Sequence, residues 1–309
     1  MPTTYQAVLL IAYGGPNGMD DVRPYLGNVL RGRRVPAGRI EEVAHHYEIF
    51  GGRSPLTDLT LRQAAALEAN LRDSGPALPV YVGMRNWTPY LHETLERMRS
   101  RGIRRAFGIV MAPHRSYASW TQYQENVAEA CARVGDGAPH VDYVGLWHDH
   151  PAFVEAQAAR VTASLATIPA ARREATPLLF TAHSIPLGMA RESAYVEEVA
   201  ASARLVAQRL GQARWWVAYQ SRSGDPRDPW LEPDVGDVIR TLAREGGDAV
   251  VVVPIGFVCD HIEVLYDLDI EARKTADGAG IAFHRAGTVM DHPAFIGMLG
   301  DLVRAQAAR

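Results

Sequence analysis

The chain has 309 residues, 47% of them hydrophobic and 22% charged, which is length enough for one large or two ordinary globular domains. A net charge of -3 and scattered Lys and Arg residues give none of the basic excess of a nucleic-acid binder. Two cysteines, Cys131 and Cys259, exclude a disulfide scaffold and a four-cysteine iron–sulfur cluster held by this chain alone.

The N-terminus lacks a basic leader, and its first apolar run, Ala7-Val8-Leu9-Leu10-Ile11, is strand length. No secretory signal is expected, no window approaches the ~18 apolar residues of a membrane span, and a cytoplasmic protein is the expectation. Strands are predicted at 7–12, 79–84, 105–111, 141–147, 177–182, 214–220, 249–255 and 280–284. Helices are predicted at 20–31, 57–73, 89–101, 118–133, 151–165, 191–210, 233–245 and 293–308. In the first helix Val22, Tyr25, Leu26, Val29 and Leu30 recur at helical spacing, Asp20 or Asp21 could cap it, and Pro24 fits only in its first turn. The short basic run Arg31, Arg33 and Arg34 reads as a solvated helix end. Alternating apolar strands and amphipathic helices predict an α/β fold with parallel sheets covered on both faces.

The pattern also repeats. Asp149-His150-Pro151-Ala152-Phe153 opens one predicted helix and Asp291-His292-Pro293-Ala294-Phe295 opens another. Upstream of each lies a strongly apolar strand, Gly108-Ile109-Val110-Met111-Ala112-Pro113 and Val250-Val251-Val252-Val253-Pro254, at nearly the same offset. Each half begins alike, with Leu9-Leu10-Ile11-Ala12-Tyr13 and Leu178-Leu179-Phe180-Thr181-Ala182-His183. Two α/β domains related by duplication are expected, at 1–168 and 169–309, with the last helix free to pack across onto the first. Ligands of such sheets sit outside the carboxyl ends of the strands. Tyr13, His114, His183 and Cys259-Asp260 all follow such ends and would line a common cleft if the halves face each other.

No P-loop, dinucleotide-binding glycine fingerprint, nucleophile elbow or zinc-protease helix is present. The segment Gly256–Glu271, read as a helix, places Glu263, Asp267 and Glu271 at i, i+4 and i+8, on one face. Like charges at that spacing cost an isolated helix a few tenths of a kcal/mol per pair. The stripe is either a solvated acidic face favoured by the helix dipole or a cation site and proton path. His183 ends an apolar strand. By position alone it reads as structural, but a neutral imidazole with a carboxylate suits a divalent metal of intermediate softness such as Fe²⁺.

From about residue 7 to about 300, the chain resembles the ferrochelatases, which insert iron into porphyrins. Carrying the resemblance are Thr181-Ala182-His183-Ser184-Ile185-Pro186, Asp228-Pro229-Trp230-Leu231-Glu232-Pro233-Asp234-Val235 and the segment Gly256–Asp269. Supporting pieces are Tyr13-Gly14-Gly15-Pro16, Tyr47-Glu48 with Gly51-Gly52, and Ser54-Pro55-Leu56. The resemblance implies two Rossmann-like domains with the porphyrin between them, and His183 and Glu263 as the catalytic and metal-binding pair. It implies Asp267 and Glu271 as a proton relay or a second divalent-cation site. Tyr13, where protoporphyrin IX enzymes more often carry methionine, points to coproporphyrin III and to a tyrosine that can ligate the product iron. Substrate contacts map onto Tyr13, Arg31, His46, Tyr47, Ser54 and Tyr123. Departures fall at Leu30 and His46, where arginines are usual, at Arg53 and at Tyr219. No iron–sulfur cluster and no cofactor beyond substrate Fe²⁺ are expected, and the protein is expected to be a monomer.

Metalation must remove two pyrrole protons and strip the water shell of Fe²⁺. An imidazole accepts a proton near neutral pH, and a carboxylate within reach can pass it on or hold the imidazolium. The binding site must also bend the macrocycle so that a nitrogen lone pair points out of plane. Trp87, Trp120 and Trp230 could press on it, although tryptophan more often packs a core. Other readings are a protoporphyrin IX enzyme, a cobalt or nickel chelatase of another tetrapyrrole, or a non-catalytic haem carrier with Tyr13 and His183 as axial ligands. The haem carrier leaves the acid stripe without a purpose.

Overall fold

The computed structural model describes residues 5–31, 38–223 and 227–308; Arg33 and Arg34 of the basic run lie outside them. Strands β1 (Ala7–Ala12), β2 (Val80–Met84), β3 (Arg105–Val110) and β4 (His140–Tyr143) form a parallel sheet in the order β2-β1-β3-β4. Strands β5 (Leu178–His183), β6 (Trp215–Gln220), β7 (Ala249–Val253) and β8 (Ala282–Arg285) form a second, in the order β6-β5-β7-β8. The second order is the first displaced by four strands, so the duplication read from the sequence is present in the topology.

The helices of the first half are α1 (Met19–Val29), α2 (Arg39–Ile49), α3 (Leu56–Ser74), α4 (Leu91–Ser100), α5 (Gln122–Val134) and α6 (Pro151–Leu165). Those that follow are α7 (Ala170–Arg173), α8 (Leu187–Arg191), α9 (Tyr195–Leu210), α10 (Val235–Arg244), α11 (Ile262–Tyr266), α12 (Arg273–Ala279) and α13 (Pro293–Ala307). Of two π-helical turns, Tyr117–Thr121 leads into α5 and Asp267–Ala272 lies between α11 and α12.

Both sheets are covered on both faces, which is why their strands read as apolar runs rather than alternating patterns. In the first sheet, Ala7, Leu9 and Ile11 pack with Leu95 of α4 and Val127 of α5. In the second, Leu178, Phe180 and Ala182 pack with Val199 and Val206 of α9, while Leu179 faces Ile239 and Leu242 of α10. Each Leu, Ile, Val or Phe among them contributes about 1.5–3 kcal/mol on burial.

The chain divides into two compact units: Met1–Pro113 with Tyr117–Trp147 and Asp291–Arg309, and His114–Ser116 with His148–Met290. The sequence pattern placed a single boundary at 168/169. The division instead falls at each copy of the repeated pentapeptide. Both copies cap a helix in the same way: His150 Nδ1 accepts from the Ala152 N–H and His292 Nδ1 from the Ala294 N–H, each at 3.2 Å, with proline in the first turn. The apolar faces of the two helices decide where they belong. Val154, Ala158 and Val161 of α6 join the core of the second unit, whereas α13 packs on α3, and its Phe295 meets Trp147 with ring centroids 5.7 Å apart. Each half of the sequence thus contributes its last helix to the other unit.

Strand β4 ends at Tyr143, short of the predicted 147; Val144 and Trp147, apolar and buried in the segment that follows, account for the longer apolar run in the sequence. Among the described residues, no helix is long and apolar enough to cross a membrane.

Candidate active site

The order β6-β5-β7-β8 puts the topological switch of the second sheet between β5 and β7, where such folds bind ligands. His183 is the last residue of β5. The chain leaving β7 turns back at Gly256, whose N–H donates to Thr181 O at 3.1 Å. A Cβ at Gly256 would lie 2.8 Å from both Cα and Cβ of Ala182, so only glycine allows this approach. The turn brings the 256–271 segment beside His183, although eighty residues separate it from Glu263.

There His183 Nε2 lies 3.8 Å from Glu263 Oε2, and His261 Nε2 lies 3.3 Å from the same oxygen. The His183 side chain is 30% exposed and that of Glu263 44%, open enough to meet a ligand. Surrounding groups fix both. His183 Nδ1 contacts Ser184 O, which sets the ring with Nε2 toward Glu263. The Tyr195 hydroxyl donates to the backbone carbonyl of His183 at 2.9 Å. From β6, Gln220 pairs in register with His183 and donates through Nε2 to Glu263 O at 3.1 Å. Ser221 follows with a φ of 61°, a left-handed conformation rare outside glycine, and its hydroxyl donates to Asp267 Oδ2.

The predicted single helix over the acid segment is broken. Helix α11 gives way at Asp267 to the π-helical turn and resumes as α12. The wider i→i+5 turn is a local expansion common at functional sites. Glu263 and Asp267 differ in charge state. Partial desolvation among its neighbours pushes Glu263 up, but the His183 and His261 imidazoles outweigh it and hold the carboxyl down at about 2. Burial, with Glu263 and Glu271 nearby, raises Asp267 to about 8 against hydrogen bonds from Ser221 and Gln220. At neutral pH Glu263 is ionised and Asp267 carries a proton. Glu271 lies at the exposed end of the row.

In the first unit, Tyr13 occupies the place that His183 holds in the second: it follows the central strand at its carboxyl end, and its carbonyl accepts from the Asn86 N–H at 3.0 Å. The Arg85 guanidinium lies 5.6 Å from the Tyr13 ring and 4.3 Å from that of Tyr123, and Asn126 Oδ1 holds it at 2.7 Å. Ser54 is buried against this loop, donating its N–H to Pro16 O at 2.9 Å. A Cβ on Gly15 would lie 2.6 Å from that of Ser54. Tyr47 is buried on α2 and meets Tyr25 edge-on at 5.7 Å. His46 is half-buried in the last turn of α2, and Arg31 is exposed just beyond α1, donating to Asn28 Oδ1 at 2.7 Å. Trp87 donates to Asp21 Oδ2 at 3.1 Å, and Trp120 packs near Tyr143, so neither is a bare platform.

Of the predicted residues, the structure brings His183, Glu263 and Asp267 into one group, and Tyr13, Tyr123 and Ser54 around one strand end. It adds His261 and Ser221. The signal for His261 was present as an imidazole two residues before Glu263; that for Ser221 was its place in Tyr219-Gln220-Ser221, although its contact with Asp267 depends on strand pairing. Among the described residues, no group of three or more His, Cys, Asp and Glu is arranged to hold a metal ion.

A ferrochelatase family model matches residues 5–307. A ferrochelatase of Rhodopirellula baltica is 43% identical over 99% of this chain and 87% of its own length. Coproporphyrin III ferrochelatases of Mycolicibacterium smegmatis and Frankia alni are 45% and 47% identical, over 97% and 96% of this chain and 89% and 79% of theirs. Among solved structures, the sirohydrochlorin chelatase SirB of Bacillus subtilis subspecies spizizenii, in complex with cobalt, aligns over 98% of this chain and 96% of its own with a TM-score of 0.56. At 13% identity that likeness concerns the fold.

Proposed function

The chain belongs to the ferrochelatase family, and from that premise we propose that it inserts Fe²⁺ into coproporphyrin III to give Fe-coproporphyrin III. The observation that carries the proposal is the meeting of His183 and Glu263, at 3.8 Å, at the switch point of the second sheet. His183 accepts the pyrrole protons and makes first contact with the iron. Glu263, ionised, holds the resulting imidazolium and shares it with His261. Asp267, which carries a proton at neutral pH, passes protons outward toward Glu271. A second divalent cation on that face must displace the Asp267 proton, and two acids alone suit a weakly held ion. Tyr13, at the matching strand end of the first unit, ligates the product iron. Arg31, His46, Tyr47, Ser54 and Tyr123 contact the macrocycle and its propionates. The reaction needs no resident cofactor, and a cytoplasmic monomer is part of the same reading.

The test is an insertion assay with coproporphyrin III and protoporphyrin IX side by side under anaerobic Fe²⁺. Faster turnover of coproporphyrin III is expected. Preference for protoporphyrin IX overturns the substrate, and tight haem binding with no insertion of iron overturns the activity.

A further inference from the structure

The segment from Asp260 to Glu271 carries five carboxylates: Asp260, Glu263, Asp267, Asp269 and Glu271. Arg285, at the end of β8, answers two of them. Its Nη1 and Nη2 meet the two oxygens of Asp260 at 3.2 and 3.3 Å, and its Nε donates to Asp269 Oδ1 at 2.7 Å. The Thr288 hydroxyl donates to Asp260 Oδ1 at 3.0 Å. Arg285 is 14% exposed, and both carboxylates are largely covered. Asp260 immediately precedes His261; Asp269 lies inside the π-helical turn, two residues beyond Asp267. One guanidinium therefore grips the segment at two points, with His261, Glu263 and Asp267 between them.

We propose that Arg285 is a positioning residue for the metal-handling acids, clamping Asp260 and Asp269 so that Glu263 and Asp267 present to His183 in one register. This inference rests on the proposed insertion activity. Burying three charges costs desolvation, and well-packed apolar side chains of like volume often serve stability as well or better. What a planar fork with several donors supplies, and an apolar side chain does not, is fixed geometry at two separate carboxylates. The clamp also sorts charge. With Arg285 bonded to both and balancing one of their two negative charges, Asp260 and Asp269 compete less with Glu263, Asp267 and Glu271 for an incoming cation.

Three variants test the clamp: Arg285→Met, Arg285→Lys, and Arg285→Met combined with Asp260→Asn and Asp269→Asn. The triple change removes the unpaired buried charges and keeps the protein folded should Arg285→Met alone not be. Each is assayed for Zn²⁺ insertion with metal and porphyrin varied separately, and for Co²⁺ binding without porphyrin, read from the cobalt absorption bands. The clamp predicts at least a tenfold rise in the metal KM of Arg285→Met, with the porphyrin KM changed less than about twofold. The triple variant regains the thermal midpoint but not the metal KM, and Arg285→Lys falls between. A triple variant with wild-type metal KM and wild-type Co²⁺ spectrum overturns the clamp. Wild-type protein that binds Co²⁺ but inserts no metal overturns the insertion activity instead, and the Co²⁺ titrations of the variants still decide the clamp.

Discussion

Replacing Asp267 with asparagine separates what the acid stripe costs from what it does. The Asp267 carboxyl is raised to about 8 in the folded protein, against about 3.9 in an unfolded chain. Between those values the native state keeps a proton that the unfolded state has released, so stability falls as pH rises, by up to about 1.4 kcal/mol per pH unit. Taken over the whole window that amounts to ~5 kcal/mol, and solvent screening at a partly open site reduces it to about 2 kcal/mol at pH 8. Asparagine matches the protonated acid in shape, does not titrate, and can still accept the Ser221 hydroxyl. Asp267→Asn should therefore melt with the wild type near pH 4.5 and about 4–8 °C above it at pH 8, at roughly 2–4 °C per kcal/mol. Insertion should fall in the same variant, because the relay has lost its titrating group. Thermal melts across pH 4.5–8.5 provide the assay. An offset that does not change with pH, or a lower midpoint at pH 8, would refute the reasoning.

Tyr13→Met is expected to weaken binding of the iron product and to move preference toward protoporphyrin IX. Unchanged product affinity and unchanged preference would remove tyrosine as the discriminating residue. Gly256→Ala forces a Cβ to within 2.8 Å of Ala182; it should cost about 1–3 kcal/mol and slow insertion by displacing the turn beside His183. A wild-type melting midpoint in that variant would contradict the packing argument.

The fold was legible because its strands are buried on both sides. Apolar runs such as Ala7–Ala12 and Ala249–Val253 mark themselves, and the copies of the Asp-His-Pro-Ala-Phe motif announce the duplication. Helix α2 was not predicted, since it starts after Gly38, in a left-handed conformation, with no side-chain cap, and carries only a weak apolar stripe. Domain membership was legible only in part: the last helix was expected to be free to pack across onto the first half, and α13 belongs to the first unit. Chain order assigns α6 to the first half, whereas Val154 and Val161 pack against Phe180 and Val199. At the site, residue types pointed to His183 and the acid row, but position alone read His183 as structural. Its contact with Glu263 depends on the crossover between β5 and β7 and on the space that Gly256 leaves, both of them long-range facts. The π-helical turn escaped periodicity for the same reason: one extra residue in a turn shifts faces without changing composition.

The central claim is that His183 handles the porphyrin protons and the metal. The direct measurement compares wild type with His183→Ala for Zn²⁺ and Fe²⁺ insertion into coproporphyrin III, with porphyrin binding followed separately by fluorescence. Loss of a positioned acid–base group predicts a fall in kcat of about 10²–10⁴, with porphyrin affinity changed no more than about threefold. Turnover near that of the wild type, with the porphyrin bound normally, would contradict the account.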